Sequence, residues 1–202
     1  MKLFYSPGAC SLSPHIVLLE AGMPFTKERV DLRSKKTEHG SDYLAVNPKG
    51  AVPALQLDNG TVLTEGAVIT QYIADQKPES ALAPRAGTIE RYRLMEILNY
   101  IAAEVHKGFS PLFNPKASSE LKEAAMAALL PKLDWLSGFL GSKPYLLGDA
   151  FSVADAYLFT VLNWSARVGI DLKKWPILSA YHARVAQRSK VQEAMKAEGL
   201  LG

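Results

Sequence analysis

Residues 5–11 read YSPGACS and lie between two segments of different periodicity. Before them, Lys2–Tyr5 is short, largely apolar and rich in aromatic residues, which predicts a buried strand. Pro7-Gly8 ends this strand, and Ser11 and Ser13 can cap the helix that follows. The apolar positions of that helix recur every three or four residues, at Leu12, Ile16, Leu19 and Met23.

The single cysteine of the chain, Cys10, falls in this predicted strand-to-helix turn. At the start of a helix, unpaired N–H groups and the helix dipole favour an anion, so the turn could hold a thiolate of Cys10 or of a bound ligand. A lone cysteine is, however, more often an inert filler of a core. Local sequence leaves both interpretations open.

Composition excludes several classes of protein. The chain has 202 residues, 48% hydrophobic and 21% charged, which is ordinary for a globular protein. Its net charge of +3 is spread along the chain, so we expect no nucleic-acid partner. One cysteine excludes an internal disulfide and a cysteine-rich zinc site, and we predict no metal. With neither a signal sequence nor a membrane span in the pattern, we expect a cytoplasmic protein without a membrane partner.

The first 79 residues follow an order of elements that predicts a mixed sheet. Alternation over residues 25–32 indicates a second strand, and strand-helix-strand implies a parallel pair with a right-handed crossover. Residues 33–50 are polar and predict a surface connection with one short helix near Tyr43. Asn59-Gly60 between apolar runs predicts a hairpin, and a helix opens at Glu65-Gly66. This order, βαβ then ββα, predicts a four-stranded sheet covered by helices.

The rest of the chain shows only helical periodicity. We predict a domain over residues 1–79, a linker over 80–86 that is rich in breakers, and an all-helical domain over 87–202. Ser152 and Asp155 form a capping-box pattern before a helix that is apolar nearly all round. We therefore expect Asp155 to be a structural cap rather than a catalytic residue.

Taken together, these features resemble a known family. The βαβ-ββα order, Val52-Pro53 before the third strand and Glu65-Gly66 at the last helix are similar to the glutathione transferases. With Cys10 and His106-Lys107 added, the chain resembles their bacterial beta class over its whole length. The resemblance implies a thioredoxin-like α/β N-terminal domain, an all-α C-terminal domain, glutathione as co-substrate and a role in detoxification of xenobiotic compounds.

The resemblance also implies a glutathione-binding role for residues of the first domain. A cis bond between Val52 and Pro53 would turn the Val52 backbone toward the cysteinyl part of glutathione. Glu65 would take the ammonium of the γ-glutamyl group, the Gly66 N–H its carboxylate, and Lys35 the glycyl carboxylate. Taken alone, Glu65 could merely complement the helix dipole, and Lys35 is an ordinary surface lysine. Gly66 stands where the family usually has serine or threonine, so we expect weaker glutathione binding.

In the second domain, one predicted helix carries the residues to which the resemblance gives a glutathione-binding role. Asn99, Ala103 and His106 share a face of that helix, and Glu104 and Lys107 flank it. A lone helical histidine is more often structural than functional. The resemblance instead places His106 beside Cys10, where a donor or cation stabilises a thiolate, so that Cys10 and His106 are the catalytic candidates. It also implies a two-fold homodimer in which Glu104 reaches across the interface.

Aromatic residues are candidates for the pocket of an apolar electrophile. Phe109, Phe113 and Trp164 could line it, although aromatic residues at helical spacing equally often pack inward, and Tyr5 is a fourth candidate. Tyr5 and Ser11 lie near the thiol. Other transferase classes use a tyrosine or serine there to bond the glutathione sulfur, whereas the beta class does not assign that part to the residue matching Tyr5.

The implied reaction is addition of the glutathione sulfur to a small aromatic or halogenated electrophile. Cys10 adds a second option, a mixed disulfide with glutathione that would support thiol transfer, reductive dehalogenation or peroxide reduction. Other classes stay open: a non-catalytic carrier of glutathione or apolar ligands, a glutathione-dependent isomerase, and a structural or regulatory protein on the same fold.

Overall fold

The computed structural model describes residues 1–201 and divides into two compact units. The first unit combines Met1–Ala83 with residues 187–201, and the second is Pro84–Ala186. No helix within residues 1–201 combines the length and the apolar character needed to cross a membrane.

The first unit is built on a five-stranded mixed sheet of order β3-β2-β1-β4-β5. β1 and β2 are parallel, and every other neighbouring pair is antiparallel. The strands are β1 (Lys2–Tyr5), β2 (Thr26–Asp31), β3 (Lys36–Thr37), β4 (Ala54–Gln56) and β5 (Val62–Thr64). The helices of this unit are α1 (Leu12–Glu20), α2 (Gly66–Gln76) and α8 (Ser189–Ala197), with 3-10 turns at Tyr43–Ala45 and Pro78–Ser80.

The two faces of this sheet pack on different parts of the unit. Because successive side chains of a strand point to opposite faces, Leu3 and Tyr5 share one face, where the Tyr5 ring contacts His15 of α1. Phe4 lies on the other face, in a cluster of buried residues completed by Val30, Tyr43, Val52 and Ala54. This second cluster fixes Val52, a predicted site residue, against the sheet.

The sheet has five strands, whereas the sequence predicts four. Residues 33–50 form a connection with the expected short helical turn at Tyr43–Ala45, but Lys36–Thr37 also pairs with Val30 and Asp31. Lys35 adopts a left-handed backbone (φ +57°), which reverses the chain and brings β3 alongside β2. A strand of two residues is too short to leave a periodic pattern in the sequence.

The start of α1 also differs in detail. Ser11 is the residue before the helix, but its backbone is helical and its hydroxyl does not cap the first turn. Instead the hydroxyl accepts from the Ser6 N–H and donates to the Ser6 carbonyl. Ser13 lies inside the helix. Ser11 therefore folds the turn, and neither serine caps the helix.

The predicted boundary places residues 187–201 in the helical domain, whereas in the structure they belong to the first unit. Arg188 forms two hydrogen bonds with the Glu20 carboxylate, and Lys27 donates to the carbonyl of Ala197. Glu198 contacts His15. These polar contacts of high sequence separation attach residues 187–201 to α1 and β2, and helical periodicity gives no sign of them.

The second unit is all helical. It contains α3 (Ile89–Tyr100), a π-helical segment (Ile101–His106), α4 (Lys107–Phe113), α5 (Ser119–Leu140), α6 (Val153–Leu162) and α7 (Pro176–Ala186), with 3-10 turns at Ser165–Val168 and Leu172–Lys174. Every residue of α6 is buried, which makes it the centre of the unit. Ser152 and Asp155 form a capping box at its start, and the fully buried Asp155 also accepts from the Leu146 N–H and the Tyr181 hydroxyl.

Candidate active site

Cys10 lies in a tight turn immediately before α1. The Ala9 N–H bonds the Ser6 carbonyl and the Leu12 N–H bonds the Ala9 carbonyl, both at 3.0 Å. The Cys10 side chain is half-buried, and its thiol donates to the Val52 carbonyl with an Sγ–O distance of 3.0 Å. The turn therefore places a sulfur beside the backbone of the loop that leads into β4.

That loop, residues 47–53, contains a cis bond between Val52 and Pro53. The Tyr43 hydroxyl and the Asn47 side-chain amide both donate to the Ala51 carbonyl, at 2.8 and 2.7 Å. Burial raises the pKa of Tyr43 to about 12, so the hydroxyl stays protonated and remains a donor. Two buried side chains thus fix the backbone on the residue before Val52.

Lys35 also contacts this loop. Its ammonium donates to the Gly50 carbonyl at 2.7 Å, and its stem packs on Gly50. Gly50 has a left-handed backbone (φ +62°), and a Cβ there would lie 3.1 Å from the Leu44 side chain. Because Gly50 has no Cβ, the Lys35 side chain has room to pack against the loop.

Glu65 is the residue before α2 and has a left-handed backbone (φ +70°). Its carboxylate is exposed and pairs with the ammonium of Lys49 at 2.6 Å, which also bonds the Thr64 hydroxyl. Gly66 opens the helix, so its N–H belongs to the first turn, whose donors have no carbonyl within the helix. A carboxylate and a helix N-terminus therefore stand side by side.

The second unit holds His106 at the end of its π-helical segment. His106 Nδ1 lies 2.8 Å from the Tyr157 hydroxyl of α6, and the ring meets Trp164 edge to face at 4.8 Å. Asn99, Ala103 and Lys107 are exposed. Glu104 is half exposed and forms an ion pair with Lys132.

The aromatic candidates of this unit do come together. Phe109, Phe113 and Trp164 form a cluster with ring-centre distances of 5.7–6.2 Å, and His106 lies at its edge. Phe109 is fully buried and Trp164 nearly so, whereas Phe113 is 44% exposed. Phe113 is thus the member that an apolar molecule in solution can reach.

Tyr5 has other neighbours in the first unit. The Lys27 ammonium lies 4.9 Å from the centre of its ring, and His15 packs on the ring. Burial, reinforced by the Glu38 and Glu198 carboxylates, raises the pKa of Tyr5. Tyr5 is 8% exposed, so its ring acts in packing.

Sequence comparison now identifies the family. The model for the glutathione S-transferase N-terminal domain matches residues 8–76, and the model for the C-terminal domain matches residues 100–189. The glutathione S-transferase GstA of Escherichia coli O157:H7 is 50% identical over 200 residues, covering 99% of this chain and all of that protein. The chain belongs to the glutathione S-transferase family.

Solved structures agree with this transferase along its whole length. The bacterial beta class glutathione S-transferase of Sphingomonas chungbukensis is 55% identical, with a TM-score of 0.97 and full coverage of both chains. A sphingomonad glutathione S-transferase complexed with glutathione is 52% identical, with a TM-score of 0.96, covering 99% of this chain and all of that one. This chain is an enzyme of the beta class type, with a thioredoxin-like N-terminal part and glutathione as co-substrate.

In this transferase, loop 47–53 connects the residues that the sequence singles out in the first unit. Cys10 bonds it at Val52 and Lys35 at Gly50, while Glu65 pairs with Lys49 of the same loop. Within residues 1–201, no group of three or more histidine, cysteine, aspartate or glutamate side chains could hold a metal ion. The Lys35 ammonium, the Glu65 carboxylate and the N-terminus of α2 suit a small zwitterion with a carboxylate at each end.

The sequence analysis did not identify the residues that hold other site residues in position. Tyr43 and Asn47 fix the Ala51 carbonyl, Lys49 pairs with Glu65, and Tyr157 bonds His106. Asn47-Pro48 is a turn signal that could have pointed to the first pair. Lys49 lies on a loop and Tyr157 on the buried helix α6, and no local sequence pattern distinguishes either residue.

Proposed function

We propose that this transferase adds the sulfur of glutathione to small aromatic or halogenated electrophiles. The observation that carries the proposal is the 3.0 Å contact between the Cys10 thiol and the Val52 carbonyl. A carbonyl oxygen has two lone pairs and can accept a second donor, the cysteinyl N–H of glutathione. A tripeptide paired with Val52 then brings its own sulfur close to Cys10 and to the N-terminus of α1, where a thiolate is favoured.

Charge supports the same orientation of glutathione. Lys35, which bonds Gly50 of loop 47–53, supplies a cation for the glycyl carboxylate. Glu65, which pairs with Lys49 of the same loop, and the first turn of α2 supply an anion and N–H donors for the ammonium and carboxylate of the γ-glutamyl group. Holding both ends fixes the sulfur in place, which lowers the entropy cost of the reaction.

The helical unit supplies the apolar groups in this proposal. Phe113 would contact the electrophile, with Trp164 and Phe109 supporting it from the core. His106, held by the Tyr157 hydroxyl, would act as the donor or cation toward the sulfur. Asn99, Ala103, Glu104 and Lys107 stay proposed contacts of glutathione along the same helix.

Cys10 favours a second activity, thiol transfer, because its side chain is partly exposed at a helix N-terminus. The Cys10 thiolate would attack the glutathione sulfur of a mixed disulfide, forming a Cys10–glutathione disulfide and releasing the other thiol. A second glutathione thiolate would then attack that bond, releasing oxidised glutathione and restoring Cys10. Cys10 is the reductant in the first step and the second glutathione in the second, so that glutathione is the net reductant.

We also propose that the protein acts as a homodimer in the cytoplasm. Glutathione keeps that compartment reducing and is abundant there. The dimer is supported by a row of exposed apolar residues on α3, at Ile89, Tyr92 and Met95.

The test compares the wild type with Cys10→Ala, using glutathione and chlorodinitrobenzene. We expect both proteins to form the conjugate, within about ten-fold of each other, because the attacking sulfur belongs to glutathione and the other binding groups are intact. Thiol transfer from a glutathione mixed disulfide should be lost in Cys10→Ala only.

Thermal stabilisation by millimolar glutathione serves as the control for binding, since a ligand of the native state raises Tm. A wild type that is stabilised by glutathione but conjugates no electrophile would contradict the proposed reaction. Without stabilisation, the proposed binding residues are wrong as well.

A further inference from the structure

Lys49 connects two parts of the first unit that the proposed glutathione site uses. It lies in loop 47–53, and its ammonium donates to the Thr64 hydroxyl at 2.9 Å and to the Glu65 carboxylate at 2.6 Å. Its backbone N–H donates to Asn47 Oδ1 at 3.1 Å, and the Asn47 amide in turn bonds the Ala51 carbonyl. The loop is therefore fixed at the residue from which the lysine side chain extends.

The place of this ammonium at the start of a helix is unusual for a cation. Thr64 and Glu65 are the two residues directly before α2, which begins at Gly66. The dipole of a helix disfavours a cation at its N-terminus, where the first N–H groups also have no acceptor within the helix. Both features favour an anion instead. A carboxylate bound at this N-terminus would therefore meet open N–H groups and the Lys49 ammonium together.

The ion pair between Lys49 and Glu65 can be exchanged for another. The two side chains are 56% and 66% exposed, so a ligand in solution reaches both. Water screens an exposed pair, which therefore contributes little to the stability of the fold. The lysine stem is flexible, and its ammonium is a point charge without a preferred plane. Moving the ammonium to a neighbouring carboxylate gives up only its bonds to Thr64 and Glu65.

We propose that Lys49 is a specificity-determining residue, which selects the complete amino-acid end of the γ-glutamyl group by an exchange of ion pairs. When the ligand ammonium binds Glu65, Lys49 moves from Glu65 to the α-carboxylate of the ligand. One ion pair is replaced by two, and no charge is left without a partner. This inference rests on the proposed binding of glutathione and adds to it a residue that the family resemblance does not name.

The exchange is balanced only for a ligand that carries both charges. A ligand with the ammonium alone displaces Lys49 from Glu65 and offers the lysine no new anion. A ligand whose amino group is acylated cannot displace Lys49, so the lysine stays neutralised by Glu65 and attracts the ligand carboxylate less. The site therefore selects peptides with a free γ-glutamyl group over those that lack either charge.

The test is calorimetric titration of the full-length wild type and of Lys49→Met, which keeps the length of the side chain without its charge. The ligands are glutathione and γ-aminobutyryl-cysteinylglycine, which is glutathione without the α-carboxylate. We expect Lys49→Met to bind glutathione about two- to five-fold more weakly and the analogue about two- to five-fold more tightly. A merely structural role of Lys49 would move both Kd values in the same direction.

Two further variants serve as controls. Lys77→Met removes the same charge directly after α2, at the opposite end of the helix, where Lys77 pairs with the exposed Glu79. It should leave both Kd values unchanged. In a Glu65→Gln background, Lys49→Met should no longer tighten binding of the analogue, because no carboxylate holds the lysine that the ligand has to displace.

The proposal is overturned if the Kd values of glutathione and the analogue do not move in opposite directions in Lys49→Met. Glutathione binding and the proposed function would then stand without the exchange. The same opposite shifts in Lys77→Met would also overturn it, because the effect would come from net charge alone. A wild type that does not bind glutathione in this titration would contradict both the exchange and the proposed binding residues.

Discussion

Glu65 already has a cation beside it before any ligand binds. Lys49 lies 2.6 Å from its carboxylate, but both side chains are more than half exposed, at 56% and 66%. Exposed ion pairs contribute at most about 1 kcal/mol, because water screens them and the side chains lose entropy. In the proposed binding mode, the ammonium of glutathione therefore replaces Lys49 at low cost, and the freed lysine stays near as a second cation for carboxylate groups.

Gly66 leads to a prediction at the same place. It opens α2 without a side chain, and its backbone is not left-handed, so a serine can adopt the same conformation. Gly66→Ser adds one hydroxyl donor to the carboxylate site at the helix N-terminus. We expect the Kd for glutathione to fall about three- to ten-fold in calorimetric titration, equivalent to about 1 kcal/mol.

Gly66→Ala is the matched control, because it adds the Cβ without the hydroxyl. It should bind glutathione as the wild type does, or slightly more weakly. If both variants bind glutathione more tightly by the same factor, the effect comes from the backbone. If both bind it more weakly, this buried position has no room for a side chain.

At the level of single residues, the resemblance to the family predicts the proposed ligand-binding groups, whereas the groups that support them were missed. Glu65 and Lys35 could be named only through that resemblance, because alone Glu65 could complement the helix dipole and Lys35 is an ordinary surface lysine. Tyr43 and Tyr157 could not, because each acts through one hydrogen bond to a residue that the fold brings near. Such contacts depend on tertiary geometry and cannot be predicted from the spacing of residues along the sequence.

The π-helical segment shows why helical spacing fails locally. Three-and-four spacing would place Asn99, Ala103 and His106 on one face with similar exposure. The i→i+5 bonds of Ile101–His106 widen that turn and shift the residues after it around the axis. As a result Ala103 is exposed, whereas His106 is half-buried against Tyr157. Nothing in the apolar pattern marks the segment.

The segment after α8 connects the end of the chain to the cysteine turn. The buried Glu198 accepts from the Gly8 N–H at 2.9 Å through one oxygen and contacts His15 Nδ1 at 2.8 Å through the other. Gly8 and His15 lie on either side of Cys10, in the turn and in α1. One carboxylate thus holds both ends of the segment that carries the thiol.

Glu198→Ala should therefore affect both stability and binding. It leaves a buried N–H and a buried imidazole without their acceptor, which we expect to cost about 2–4 kcal/mol in urea unfolding. Because the turn loses its anchor, glutathione should bind at least about three-fold more weakly, as measured below the unfolding transition.

Glu193→Ala is the control on α8, since the Glu193 carboxylate is half exposed and pairs with the half-exposed Lys190 of the same helix. Its cost should stay below about 0.5 kcal/mol. An unchanged glutathione affinity in Glu198→Ala, together with the stability loss, would restrict Glu198 to folding and remove its role in positioning Cys10.

At the scale of the molecule, the sequence predicts the order of elements but not every partner. The mixed sheet and the helical second half follow from periodicity and turn signals. The assignment of residues 187–201 to the first unit follows instead from contacts such as Arg188 with Glu20, 168 residues apart in the chain. Edge strand β3 depends on the left-handed Lys35, and a lysine in that conformation is not predictable from composition.

The apolar row on α3 gives the last prediction. Ile89, Tyr92 and Met95 are 64%, 58% and 44% exposed and recur every three residues, so they form one continuous ridge. An exposed apolar ridge of this kind marks an interaction surface, and a two-fold axis lets one ridge pack on its copy. We expect the wild type to elute as a dimer in size-exclusion chromatography with light scattering.

Tyr92→Glu places two like charges in that interface and should shift the protein to monomer at micromolar concentration, weakening the dimer at least about 100-fold. Leu121→Glu introduces the same charge at an exposed apolar residue of α5 and should remain dimeric. If Glu104 reaches into the partner's site, the Tyr92→Glu monomer should also bind glutathione more weakly than Leu121→Glu does. A Tyr92→Glu protein that stays dimeric would place the interface on another face.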